Sequence, residues 1–130
     1  MYWTEIARRT VGGVVVLDLH GQMTLGGYEE LRASAASEPR ERSGAPRLLY
    51  QVQRVLDDGI RHVVLNLARV AYVDSTGVGE IVGAYTRVLR AGGMLKLCCV
   101  SARTEEVLRA ANIDSVVQWS ASESSAVESF

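Results

Sequence analysis

Residues 70–82 read VAYVDSTGVGEIV, and this stretch decides how the chain can fold. A valine-rich segment ends at Asp74, Ser75 and Thr76 follow it, and apolar residues at helical spacing begin after Gly77. Short β-branched runs favour strands, whereas apolar residues three and four positions apart favour helices. The stretch therefore predicts a buried strand that gives way to a helix at the two hydroxyl residues.

Strand and helix patterns alternate through most of the remaining chain. This alternation predicts an α/β fold, a mixed and mostly parallel sheet of four to five strands with helices packed against it. An opening pair of strands, turned at Gly12–Gly13, adds an antiparallel edge. The predicted strands cover residues 5–10, 14–19, 62–67, 94–100 and 115–119, and the predicted helices cover 47–59, 75–91, 101–112 and a terminal segment capped by Ser120 and Glu123. The predicted helix over 75–91 is expected to bury Val78, Ile81, Val82, Tyr85 and Leu89.

One segment departs from this alternation. Residues 33–47 contain both prolines of the chain among serines, alanines and charges, and they carry no apolar periodicity. Neither flank could bury a core alone. We therefore expect a single domain over residues 1–130, with 33–47 as a probable flexible insert.

Composition and charge exclude several classes of function. A net charge of −1 without clustered Lys or Arg argues against a nucleic-acid partner. No apolar run is long enough to enter and span a membrane, and the N-terminal residues lack a secretory signal, which predicts a cytoplasmic protein. Cys98 and Cys99 are adjacent on a predicted strand and have no ligand cluster, so we expect two buried apolar residues and no metal site.

The chemistry of the strand–helix junction has more than one interpretation. Asp74, Ser75 and Thr76 are all favoured helix N-caps, so any of them could serve only to start the helix. A helix N-terminus also suits a phosphate, which makes Ser75 a candidate acceptor. Catalysis is disfavoured, because the G-x-S-x-G elbow and the P-loop are both absent and neither histidine has a carboxylate placed to orient it.

The segment VVLNLARVAYVDSTGVGEIVGAYTRVLRAGGMLKL resembles the STAS domain of anti-sigma-factor antagonists. In that family a buried strand leads into Asp-Ser-Ser/Thr-Gly-Leu-Gly at the start of a helix, and a Gly-Gly pair precedes the next strand. The resemblance implies a non-enzymatic regulator that binds an anti-sigma factor serine kinase and so releases a sigma factor. Phosphorylation of Ser75 ends the binding, with Thr76 as a second candidate acceptor, and a serine phosphatase restores it. ATP and magnesium belong to the kinase, so no cofactor is expected in this chain.

The partner-binding surface implied by this resemblance lies around the phosphorylated turn. The glycines of the first helical turn let another backbone approach closely, and the outward side of the helix is expected to contribute. An acidic residue is common in the family where this chain has Thr24. The expected contact residues are Gly21, Thr24, Asp74, Ser75, Thr76, Gly77, Gly79, Glu80, Gly83 and Arg87.

Two other classes of function stay open. STAS proteins also occur as non-switching scaffolds or adaptor subunits of signalling assemblies or lipid-transport ABC complexes. A small enzyme or ligand-binding α/β domain is the third and least favoured interpretation.

Overall fold

The computed structural model describes residues 5–23 and 47–130. Five strands form one sheet in the order β1-β2-β3-β4-β5, in which β1 pairs antiparallel with β2 and the other neighbours are parallel. The predicted α/β class and the antiparallel edge are therefore confirmed. The strands are β1 (Glu5–Val11), β2 (Val14–Met23), β3 (His62–Val73), β4 (Met94–Cys98) and β5 (Trp119–Ser120).

Helices cover both faces of the sheet, but unequally. The larger apolar cluster lies on one face, where residues of three helices pack on β2, β3 and β4. A smaller cluster on the second face holds Val14, Val16, Val64 and Cys98 beneath Ala126 of the last helix. No helix in the described residues combines the length and apolar character needed to cross a bilayer. The helices are α1 (Arg47–Asp57), α2 (Ser75–Arg90), α3 (Ala102–Ala110) and α4 (Glu123–Glu128), with a 3-10 turn at Ile113–Ser115.

Strand β3 is longer than its apolar sequence predicts. The expected residues 62–67 lie mid-sheet, with Val63 and Leu65 in the larger cluster and Val64 in the smaller one. The strand then continues to Val73, pairing with β2 after β4 has ended. This extension carries the chain to the edge of the sheet at which α2 begins.

Several local predictions are wrong, each because tertiary pairing replaces a local preference. The last strand is Trp119–Ser120 rather than 115–119, since only these two residues pair with β4. Ser122, not Ser120, caps α4, and its side chain accepts from the Ser125 N–H. Cys99 lies beyond the end of β4 with φ of 60° and is half-buried, so only Cys98 is a buried strand residue.

The apolar stripe of α2 is also rotated relative to its prediction. Val78 and Ile81 are buried as expected, but Leu89 is 47% exposed and Val88 lies in the core instead. Ala84 is fully buried as well. The insert predicted at 33–47 lies outside the described residues except for Arg47, which begins α1.

Candidate functional site: the turn between β3 and α2

Asp74 is the residue that caps α2. Its backbone is extended, and its Oδ1 accepts from the Thr76 N–H at 2.9 Å and from the Gly77 N–H at 3.3 Å. These are two of the N–H groups that a helix start leaves without an intrahelical acceptor. Capping is therefore the work of the carboxylate, and neither neighbouring hydroxyl is needed for it.

Ser75 is the first residue of α2, and its side chain is exposed. Its hydroxyl makes no hydrogen bond to any other residue in the described part of the chain. Thr76 is half-buried, so of the two hydroxyls Ser75 is the more accessible to a modifying enzyme. The helix end also offers a partial positive charge that favours a phosphate at this position.

Gly77 fixes the start of α2 against the end of β2. A Cβ built on Gly77 would lie 2.2 Å from the Met23 carbonyl oxygen, a distance that no side chain can occupy. The same oxygen accepts from the Asp74 N–H at 3.1 Å. The close approach of helix and strand thus holds the cap in place, and Gly77 is buried and serves the fold rather than an exposed contact.

Gly79 has the opposite environment. It is exposed, and a Cβ built on it would meet nothing within 4 Å. Since its backbone is helical and its surroundings are open, no packing constraint within the described residues explains the glycine. Because Gly79 has no side chain, the backbone of the first turn of α2 is uncovered beside Ser75.

Glu80 is buried, which corrects the expectation that it lies on the outer surface of α2. It is only 6% exposed, and neither carboxylate oxygen has a hydrogen-bond partner within residues 5–23 and 47–130. Burial, reinforced by the nearby Asp74 carboxylate, raises the pKa of Glu80 from 4.5 to about 8. At neutral pH this side chain is mostly a neutral carboxylic acid, so a partner cannot contact it as a surface charge.

Gly83 and Arg87 lie on the side of α2 that is next to α1. A Cβ on Gly83 would lie 3.4 Å from Leu49 Cδ2, and Arg87 Nη1 donates to Gln53 Oε1 at 3.3 Å. Arg87 remains exposed, but the side of α2 expected to face outward is in fact the side that packs on α1.

The two expected contact residues that precede α1 in the sequence, Gly21 and Thr24, differ in what the structure says of them. Gly21 is buried, has φ of 115° and pairs with Val70 of β3, so it serves the strand. Thr24 lies outside the described residues. Of the expected contact residues, the structure brings together Asp74, Ser75, Thr76 and Gly79 as an accessible group at one edge of the sheet.

The arrangement provides an accessible hydroxyl on a rigid, pre-capped helix start. No nucleophile–base pair involves Ser75 in the described residues, and none of their His, Cys, Asp and Glu side chains form a group of three or more able to hold a metal. Sequence analysis missed the buried state of Glu80. Glu80 lies off the predicted apolar stripe of Val78, Ile81, Val82, Tyr85 and Leu89, so the sequence offers no sign that this side chain is covered.

Comparisons with known proteins agree with this architecture. A family model described as the STAS domain matches residues 5–126. An anti-sigma-factor antagonist (STAS) domain protein from Planctomyces limnophilus is 19% identical with a TM-score of 0.69, covering 95% of this chain and 94% of that chain. An anti-sigma factor antagonist from Mycobacterium paratuberculosis is 14% identical with a TM-score of 0.70, covering 95% and 91%.

A third similar structure is the Bacillus cell fate determinant SpoIIAA in its phosphorylated form. It is 19% identical with a TM-score of 0.60, and the match covers 95% of this chain and 97% of SpoIIAA. At these identities the solved structures establish a shared fold, while the family model spans nearly the whole chain. The chain therefore belongs to the STAS domain family, and its fold is that of the anti-sigma factor antagonists.

Proposed function

We propose that this protein is a phosphorylation-controlled binding regulator. Its unphosphorylated form binds an anti-sigma factor of the serine kinase type and so releases the sigma factor. Phosphorylation of Ser75 blocks this binding, and a serine phosphatase reverses the block. The protein itself carries out no reaction and acts in the cytoplasm.

The observation that supports this proposal is that Asp74, and not Ser75, caps α2. Because Asp74 caps α2, the Ser75 hydroxyl has no structural task among the described residues and remains exposed. Membership of the STAS family, and the likeness to a fold solved in phosphorylated and unphosphorylated forms, support the same function.

The physical basis of the switch is desolvation at the interface. A phosphate on Ser75 would add a charge of about −1.5 to −2 beside Asp74. The helix end partly offsets this charge within the free protein. A partner packed on the bare turn at Gly79 would have to bury the charge unpaired, and about 1.4 kcal/mol already corresponds to a tenfold loss of affinity.

Phosphopeptide mapping of the protein from its native cells tests the first step. Cleavage after Arg69 and Arg87 gives a fragment of residues 70–87 that holds both candidate hydroxyls. We expect phosphate on Ser75. Absence of phosphate under every growth condition, with full coverage of this fragment, would refute the switch and leave the non-switching scaffold as the better explanation. Phosphate confined to Thr76 would move the switch by one residue.

Binding measurements with the partner kinase test the second step. We expect Ser75→Ala to bind without regulation and Ser75→Asp to bind weakly, because the latter keeps a permanent charge in the interface. Gly79→Gln should also weaken binding while leaving the fold intact, since the new side chain enters open space. Ser124→Asp, at an exposed serine on α4, is the matched control and should bind normally. Equal binding by all four variants would contradict a contact at this turn.

A further inference from the structure

The second face of the sheet is only half covered. Helix α4 packs over the small apolar cluster at one half, whereas Ala7, His20, Ala68 and Arg69 are exposed at the other. The uncovered half contains a cavity of about 390 Å³. We call this region the open half-face; the residues that line its cavity include Arg9, Asp18, His20, Asn66, Ala68 and Arg69.

A β-bulge in β3 places Arg69 on this face. Asp18 pairs with Asn66 and His20 pairs with Arg69, so two steps along β2 correspond to three along β3. Side chains alternate between faces along a regular strand, and three steps would direct Arg69 away from Asn66. The extra residue returns Arg69 to the same face, and bulges recur where a side chain must be re-aimed at a functional site. The bulge is held by Asn66 Oδ1, which accepts from the Ala68 N–H at 2.9 Å.

The cavity has opposite electrostatic character at its two ends. At one end Arg69 forms no hydrogen bond or ion pair with any other residue that the structure describes, and it lies opposite His20. At the other end Asp18 accepts from Arg9, with Nε–Oδ2 at 2.6 Å and Nη2–Oδ1 at 3.0 Å. The Glu123 carboxylate also contacts this guanidinium, so the charge of Arg9 is balanced by two carboxylates.

This polarity specifies the kind of ligand. An anion placed beside Arg9 would meet two carboxylates already there, whereas Arg69 has no carboxylate partner among the residues that the structure describes. Each Asp18 oxygen accepts one hydrogen bond from Arg9 and can accept another. An oxyanion therefore belongs at the Arg69 end, and a hydrogen-bond donor belongs at the Asp18 end. The Cα atoms of Asp18 and His20 are two residues apart on one strand, about 6.5 Å along its axis.

We propose that the cavity of the open half-face binds a small zwitterionic molecule, whose carboxylate pairs with Arg69 and whose ammonium donates to Asp18. We take a chain of about five bonds between the two charged groups of the ligand, because its extended length is about the axial distance between Asp18 and His20, the residue that pairs with Arg69. This site is on the second face of the sheet, is separate from the Ser75 turn and does not depend on the function proposed for that turn.

Titration of the labelled protein with 5-aminopentanoate, followed by two-dimensional NMR of backbone amides, tests the proposal. We expect saturable shifts at Ala7, Ala68 and Arg69, with the Ser75 amide unchanged. Acetate and butylamine, each carrying one of the two charges, should bind at least about tenfold more weakly. No saturable shift by about 20 mM, above the millimolar affinity of a typical fragment, would overturn the proposal. Acetate binding as tightly as the zwitterion would overturn it too.

Variants identify the residue responsible. Arg69→Ala and Arg69→Gln should each weaken 5-aminopentanoate binding by at least about tenfold. Arg69→Gln keeps the length of the side chain and serves as the test if the alanine variant does not fold. Arg90→Ala removes an exposed arginine at the end of α2, a helix that packs on the opposite face of the sheet from the cavity, and should leave affinity unchanged. An equal effect of the Arg69 and Arg90 variants would assign the binding to net charge alone and refute the site.

Discussion

Replacing Glu80 by glutamine should make the protein more stable at alkaline pH and remove a pH dependence that the wild type carries. Glu80 is 6% exposed and its carboxylate oxygens have no hydrogen-bond partner in the part of the chain that the structure describes, so ionising it in the folded state places an uncompensated charge in the interior. Glutamine has nearly the same shape and cannot ionise. The comparison therefore isolates the cost of the charge.

The magnitude follows from the pKa of Glu80, which burial and then Asp74 raise from 4.5 to about 8. A raised pKa means that the folded state holds the proton more tightly than the unfolded state does. The stabilisation is fully present below about pH 4.5, is lost progressively as the pH rises to about 8, and does not change further above that. At about 1.4 kcal/mol per pKa unit, the loss between pH 5 and pH 9 is about 4 kcal/mol.

Urea unfolding at intervals from pH 5 to pH 9 measures this difference. The free energy of unfolding of Glu80→Gln minus that of the wild type should rise by about 4 kcal/mol over this range, since contributions from other titrating groups cancel in the subtraction. Glu106→Gln, at an exposed glutamate on α3, is the matched control and should show no such trend. A difference that stays constant from pH 5 to pH 9 would refute the buried, unpaired state of Glu80.

Two further predictions concern the start of α2. Ser75→Ala should change the free energy of unfolding by less than about 0.5 kcal/mol, because Ser75 does not cap α2. Ser101 is the comparison: its Oγ caps α3 by accepting from the Thr104 N–H at 3.1 Å, so Ser101→Ala should lower the free energy of unfolding by about 1 kcal/mol. Equal losses for the two variants in chemical denaturation would mean that Ser75 also has a structural role. Gly77→Ala forces a Cβ against the Met23 carbonyl and should lower the free energy of unfolding by about 2 kcal/mol or more. The new methyl group of Gly79→Ala enters open space, so this variant should raise the free energy of unfolding by about 0.5 to 1 kcal/mol through helix propensity. Thermal unfolding that ranks the two glycine variants in the reverse order would contradict the packing of α2 on β2.

Local sequence determined the order of the elements. The apolar residues of α1 predict a helix over 47–59 that Gly59 terminates, and the structure has the helix end at Asp57, two residues earlier. Gly12 and Gly13, with φ of 55° and 83°, form the predicted turn between the opening strands. Such features are readable because periodicity and turn chemistry act over a few neighbouring residues.

Long-range pairing decided which of the three candidate residues caps α2. Asp74, Ser75 and Thr76 have similar intrinsic preferences for a helix start, so the sequence could not choose among them. The Asp74 N–H donates to the Met23 carbonyl, and this contact fixes where β3 ends and the helix begins. The consequence is chemical, because it assigns capping to the carboxylate and leaves the Ser75 hydroxyl exposed.

The sequence likewise could not predict which way single side chains face. Periodicity placed Glu80 on the outer side of α2, but the packing of α1 against that side shows that the helix is rotated. Arg69 lies on the same face of the sheet as Asn66 only because β3 holds one residue more than β2 between the paired positions. A one-residue shift reverses the face of a strand residue, and no local pattern records it. The sequence by itself thus determined the elements and the Asp-Ser-Thr motif, while the tertiary structure decided which polar residues are buried, which cap helices and which are exposed.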